Sequence, residues 1–139
     1  MVAVDKPVRA ILFACNMNSV RSPMAEALAR RALGSRVRVE SCGVFAGVHD
    51  PFAAEVLTEE GLPAPKRPPQ DFAEVAARDF DLVVALTGEA AAEARRTGVP
   101  VEFWDTENPT ETRGARDDLL KAYRDVRDEL DRKIRARFA

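Results

Sequence analysis

The sequence predicts an α/β protein, a four-stranded parallel sheet with helices on both faces, folded as a single domain over residues 1–139. Three observations carry that expectation. Apolar runs alternate along the chain with segments of helical periodicity, the pattern of a parallel sheet wrapped by helices. Asp81-Leu-Val-Val-Ala-Leu86 is apolar without period-two alternation, as a strand covered on both faces should be. A chain of 139 residues that is 46% hydrophobic and 32% charged suits one globular core and leaves no room for a second.

Taken in order, Val8 to Ala14 reads as a buried strand, and Ser22-Pro23 ahead of Met24-Ala-Glu-Ala-Leu28 opens a helix over 23–34 with proline at its first position. A strand follows at 36–41. Asp50-Pro51 starts a helix over 51–60, with His49, the sole histidine, just before the cap. Pro63 to Pro69 is a proline-rich structural loop, and a short helix is expected at 70–78. Strand 81–86, helix 88–96 and strand 100–104 complete the alternation. The last helix, 115–138, has the clearest period. Leu119, Tyr123, Val126, Leu130, Ile134 and Phe138 recur every three to four residues, with Asp117 and Asp118 early and Arg135 and Arg137 late, as the helix dipole favours.

Charge and composition exclude several classes. A net charge of −2 argues against a nucleic-acid partner, and the basic run Arg132 to Arg137 complements the end of a helix. No apolar stretch has membrane-spanning length, and Met1-Val-Ala-Val-Asp5 lacks a signal-peptide pattern, so no membrane partner is expected and a cytoplasmic location is. Two cysteines fit a reducing compartment better than a disulfide scaffold.

The chemistry concentrates in residues 10–23, Ala-Ile-Leu-Phe-Ala-Cys-Asn-Met-Asn-Ser-Val-Arg-Ser-Pro. Strand, short loop and helix start follow one another, so the backbone amides of the loop converge near the positive end of the helix dipole. Asn16, Met17, Asn18, Ser19, Val20 and Arg21 are the expected phosphate-binding residues. Cys15 lies at the base of this cradle, where amides, dipole and a guanidinium favour the thiolate, the nucleophilic form. Arg21 is suited to hold two equatorial oxygens of phosphate or arsenate side by side, which a lysine point charge does not imitate. Ser22 supplies a hydroxyl to the sulfur. The bare Cys-x5-Arg spacing also fits a buried structural cysteine beside a surface arginine; the flanking strand and helix start favour the cradle. Nothing in the pattern calls for a cofactor or a metal.

On these residues the chain resembles the low-molecular-weight protein tyrosine phosphatase family, which includes the thioredoxin-coupled arsenate reductases. Val39-Glu-Ser-Cys-Gly-Val44 is similar to the family's second strand and glycine turn, and Asp50-Pro-Phe-Ala-Ala-Glu-Val-Leu57 to its next helix. Asp81-Leu-Val-Val-Ala-Leu86 is similar to its third strand, and Trp104 to Pro109 to its acid loop. The resemblance implies phosphoryl transfer through a cysteinyl-phosphate. Cys15 would be the nucleophile, Arg21 the clamp, and Asn18 and Ser22 the hydrogen-bonding side chains of the loop. The implied partners are a phosphorylated protein or small phosphomonoester, and inorganic phosphate or arsenate.

Three departures bear on activity. The family protonates the leaving oxygen from an aspartate just before a proline, and Trp104-Asp-Thr-Glu-Asn-Pro109 puts Asn108 there. An amide has no proton to give at neutral pH, and loss of a general acid costs about 10²–10⁴ in rate. Asp105 and Glu107 are the possible surrogate acids. Val20 stands where some members carry a second loop cysteine, and the relay cysteines of the arsenate reductase branch have no counterpart in Leu86 to Ala94. Cys42 is expected to be a small buried hydrophobe, the alternative being a redox partner for Cys15. Thr110 follows Pro109 where selective members place an aromatic, leaving Phe45 and Met17 to form the rim. Three functions follow: a cysteine-dependent phosphatase for phosphotyrosine or other aryl phosphomonoesters, an oxyanion- or phosphoprotein-binding pseudo-phosphatase, and an arsenate reductase using Cys42 or an external thiol.

Overall fold

A computed structural model describes residues 7–63 and 65–139. Eight principal elements run β1 (Ala10–Cys15), α1 (Arg21–Leu33), β2 (Arg38–Gly43), α2 (Pro51–Thr58), β3 (Leu82–Ala85), α3 (Gly88–Arg95), β4 (Val101–Phe103) and α4 (Arg116–Phe138). All four strands are parallel and the sheet order is β2-β1-β3-β4. The chain therefore steps from β1 outward to β2 and then back past β1 to β3. The C-terminal ends of β1 and β3 form the switch point at which ligands bind in open α/β sheets.

Alternate residues of the strands feed two cores. Ile11, Phe13, Val39, Leu82 and Val84 pack with α1, α2 and α4; Leu12, Ala14, Cys42, Val83 and Ala85 pack with α3 and with Val75, Ala77 and Phe80. Every residue of β1 and β3 is buried, which explains their unbroken apolar runs. Asp81 stitches the start of the sheet, its carboxylate accepting from the amides of Arg9 and Ala10 at 2.9 and 3.0 Å.

Several expected boundaries move. α1 begins at Arg21, not at 23, so Pro23 sits inside the first turn, where a missing N–H costs no helical bond. α2 ends at Thr58 because Gly61 takes a positive φ of 71° and Leu62 N returns to Leu57 O at 3.0 Å, closing the helix. The helix expected at 70–78 is absent. Gln70 O and Asp71 are spent on Gly43 at the sheet edge, Asp71 and Glu74 cap each other's amides, and only a 3₁₀ turn at Ala77–Asp79 remains. On α4 the buried stripe is Leu120, Tyr123, Val126, Leu130 and Ile134, with Leu119 half-buried. Both leucines satisfy the period backward from Tyr123, and packing selects the three-residue step.

Candidate active site

Cys15 ends β1 at the switch point, its side chain 2% exposed and turned toward the core shared with α1. The loop that follows is held from the β2 side. Val44 N donates to Cys15 O at 3.0 Å, Phe45 N to Asn16 O at 2.8 Å and Gly47 N to Met17 O at 2.9 Å. This approach is close enough to demand glycine: a Cβ on Gly43 would lie 2.6 Å from Asn18 N and 2.9 Å from Asn16 O. Asn18 adopts φ 54°, the left-handed turn that lets the loop reverse into α1.

α1 has no side-chain cap, and its first helical bond runs from Met24 N to Val20 O. The amides of Arg21 and Ser22 therefore have no carbonyl partner within the helix, the condition that makes a helix N-terminus receptive to an anion.

Behind the loop lies a buried hydrogen-bond chain whose directions follow from proton counting. Asn18 Nδ2 donates to Ser22 Oγ and to Ser41 Oγ, both at 2.9 Å, while its Oδ1 accepts from Gln70 N at 3.0 Å. All of its amide capacity for donation is used. Ser41 passes its own proton to Glu26 Oε1, and Glu26, 8% exposed, is flanked by Arg30 at 2.8 Å and Arg67 at 3.3 Å. Ser22 Oγ thus accepts from Asn18 and keeps one proton for two acceptors, Cys42 O at 3.1 Å and Cys15 Sγ at 2.9 Å. With a thiol, the S–H donates to Ser22 and Ser22 to the carbonyl; with a thiolate, Ser22 turns its proton onto sulfur.

Arg21 Nη1 donates to Thr106 O at 3.1 Å, leaving the rest of its fork without a protein acceptor among the described residues. That carbonyl belongs to the loop after β4, anchored by Trp104 N to Ala85 O at 2.8 Å and Thr106 N to Leu86 O at 3.1 Å. Within the loop Thr106 is buried and Asn108 half-buried, whereas Asp105 and Glu107 are exposed. Asn108 Oδ1 accepts from Thr110 N at 3.1 Å and Thr110 Oγ1 at 2.7 Å, capping the 3₁₀ turn Pro109–Glu111.

Of the remaining residues singled out in the sequence, Cys42 is fully buried and lies on the opposite sheet face from Cys15, one register step away. Burial pushes its thiol pKa far up, with Cys15 and Asp71 adding to the effect. His49 is exposed, and Asp50 caps α2 by accepting from Phe52 N at 2.8 Å. Met17 and Phe45 are exposed beside the loop, 52% and 67%, as is Val48. A cavity of about 610 Å³ opens on the flank of α1, lined by Asn18, Glu26, Arg30, His49 and Lys66 among others, without Cys15 or Arg21 in its wall. The loop after Cys15 is therefore distinguished by its amides and its sulfur, not by cavity size.

Ser41, Gln70 and Glu26 entered the site unannounced by the motif, as did Thr87, whose Oγ1 donates to Asn16 Oδ1 at 2.7 Å. Glu26 had a signal, since it lies four residues after Ser22 on the same helix face. Ser41 and Gln70 had none, because only the strand register and the edge bridge bring them to Asn18.

Comparison with known proteins agrees with this geometry. The family model described as low molecular weight phosphotyrosine protein phosphatase matches residues 10–138. An arsenate reductase of Bacillus licheniformis is 32% identical over 133 residues, covering 94% of this chain and 95% of that protein. A protein-arginine-phosphatase of Bacillus subtilis is 40% identical over 83 residues, 55% of each chain. Among solved structures, an arsenate reductase in the phosphate-binding state superposes with a TM-score of 0.77 at 25% identity, covering 94% of this chain and 99% of that one. The chain thus belongs to the low molecular weight phosphotyrosine protein phosphatase family.

Proposed function

We propose that this protein is a cysteine-dependent phosphatase acting on aryl phosphomonoesters, phosphotyrosine among them. The observation that carries the reading is the contact of Ser22 Oγ with Cys15 Sγ at 2.9 Å: Asn18 donates to that oxygen, so the one Ser22 proton is shared between Cys42 O and the sulfur and turns to the sulfur when it is a thiolate. Cys15 as thiolate attacks phosphorus, forming the S–P bond while the P–O bond breaks and its electron pair leaves on the aryl oxygen. Arg21 and the loop amides hold the equatorial oxygens. Water then attacks the cysteinyl-phosphate, the S–P bond breaks back to thiolate, and one proton of the water remains on the released phosphate while the other passes to solvent.

The acid loop restricts the substrate. Asn108 is a cap and not a proton donor, so an alkoxide leaves poorly while a phenolate leaves without a proton. Hydrolysis of p-nitrophenyl phosphate, beside phosphotyrosine, phosphoserine and phosphoarginine, tests the reading. Phosphate release from the aryl esters and little from phosphoserine is expected; release from phosphoserine at the aryl rate would overturn it.

A second reading is supported by the arsenate reductase similar to this chain over 94% of its length. The two cysteines occupy opposite sheet faces, so a relay within the chain is not available and a reductase would need an external thiol. Arsenite production that depends on added glutathione or thioredoxin would establish it.

A further inference from the structure

We propose that the side-chain amide of Asn16 is a catalytic donor to the leaving oxygen, a role that rests on the phosphatase reading. Asn16 directly follows Cys15 and reaches across the switch point from β1 to the start of α3, where it meets Thr87. Thr87 fixes which way the amide points. Its Oγ1 accepts from Ala90 N at 3.1 Å as the cap of α3 and gives its one proton to Asn16 Oδ1 at 2.7 Å. With the amide reversed, Nδ2 would donate to the remaining Thr87 lone pair and the Thr87 proton would lose this acceptor, so the observed orientation satisfies both groups. Both Nδ2 protons of this half-buried residue therefore point away from Thr87, and among the described residues they meet no protein acceptor.

Thr87 also ties that amide to the loop that carries the family's acid position. Leu86 O, one residue before Thr87, holds Thr106 N at 3.1 Å, and Thr106 O holds Arg21 Nη1 at 3.1 Å. Asn16 is thus connected, through Thr87 and its neighbour Leu86, to the loop that holds Arg21 and carries Asn108, and in the proposed role its free N–H groups face the leaving oxygen. As the P–O bond breaks, negative charge grows on the departing oxygen. An amide N–H does not hand over a proton there, but a hydrogen bond to a developing anion is stronger than one to an ester oxygen, so the donor favours the transition state over the bound substrate. The phenolate departs with its electron pair and takes its proton from water. Its oxygen is more strongly bonded the more basic it is, so the amide assists poorer phenol leaving groups most.

The test is kcat/KM for Asn16→Leu and Asn16→Ala across aryl phosphates of graded leaving-group acidity, from p-nitrophenyl to phenyl phosphate. A lost hydrogen bond to a charged group predicts a fall of about tenfold or more on phenyl phosphate and a smaller one on p-nitrophenyl phosphate. The dependence on leaving-group pKa steepens. Agreement between the leucine and alanine variants separates a lost donor from added bulk, while unchanged inhibition by inorganic phosphate and unchanged alkylation of Cys15 show an intact cradle. An equal loss on every ester, or none, overturns the role of Asn16 alone. Absence of phenolate release by the unaltered protein overturns the phosphatase reading and this inference with it.

Discussion

At position 108 an amide stands where the family carries a carboxylic acid, and its oxygen is engaged by Thr110 N at 3.1 Å and Thr110 Oγ1 at 2.7 Å. A carboxylate in its place accepts the same two bonds through one oxygen and keeps the second for a proton. Asn108→Asp is therefore expected to raise kcat/KM for alkyl phosphates by about 10²-fold, with little gain on p-nitrophenyl phosphate, whose phenolate departs without a proton. Steady-state assays with both esters check this; an unchanged alkyl rate would mean the loop does not deliver residue 108 to the leaving oxygen. The motif brought Cys15, Arg21 and Ser22 into view because they lie close together in one strand end, one loop and one helix start. Asn18 was readable as a loop residue, but its two serine partners were not, since Ser41 arrives from β2 and the direction of each bond depends on Glu26 behind it.

Among the elements, α4 keeps the expected period and face except at its N-terminal end. Tyr123, Val126, Leu130 and Ile134 face inward as their spacing requires, yet Leu120 and not Leu119 continues the stripe. Arg127 also sits on the buried side, extending its guanidinium to Val56 O and Glu59 on α2 and its neighbour, both at 2.9 Å. No apolar count reveals such an arginine, because its stem is buried while its head finds partners. Glu59 receives Arg124 as well, with Nη2 at 2.6 Å, and the Arg124 hydrogen bonds lead in lowering its pKa to about 2 from the usual 4.5. A depressed carboxylate stabilises the fold above its unfolded pKa and loses that contribution as pH falls through the folded one. Thermal unfolding should show Glu59→Gln melting below the unaltered protein at pH 7, with the gap narrowing from pH 4.5 toward pH 2. A gap independent of pH would assign Glu59 a packing role instead.

For the molecule as a whole, the parallel sheet, its four strands and its alternation with helices were all legible, because buried strands read as unbroken apolar runs. The segment 70–78 was misread since its helical spacing competes with an edge bridge to Gly43 that no local pattern encodes. Sheet geometry also decides the redox behaviour. Ala14 pairs with Cys42 and Cys15 with Gly43, which sends the two thiols to opposite faces. Mild peroxide should leave the folded chain without an internal disulfide, seen as no loss of two hydrogens in the intact mass, and iodoacetate should modify Cys15 well before Cys42. A Cys15–Cys42 bridge in peptide maps would contradict this topology.

The phosphoryl acceptor is the point on which the functional reading turns, and rapid-quench mass spectrometry during turnover of p-nitrophenyl phosphate addresses it directly. One phosphoryl group is expected on the peptide containing Cys15, absent in Cys15→Ala and sharply reduced in Arg21→Lys. Hydrolysis that proceeds with Cys15 unphosphorylated, or that survives Cys15→Ala, would contradict it.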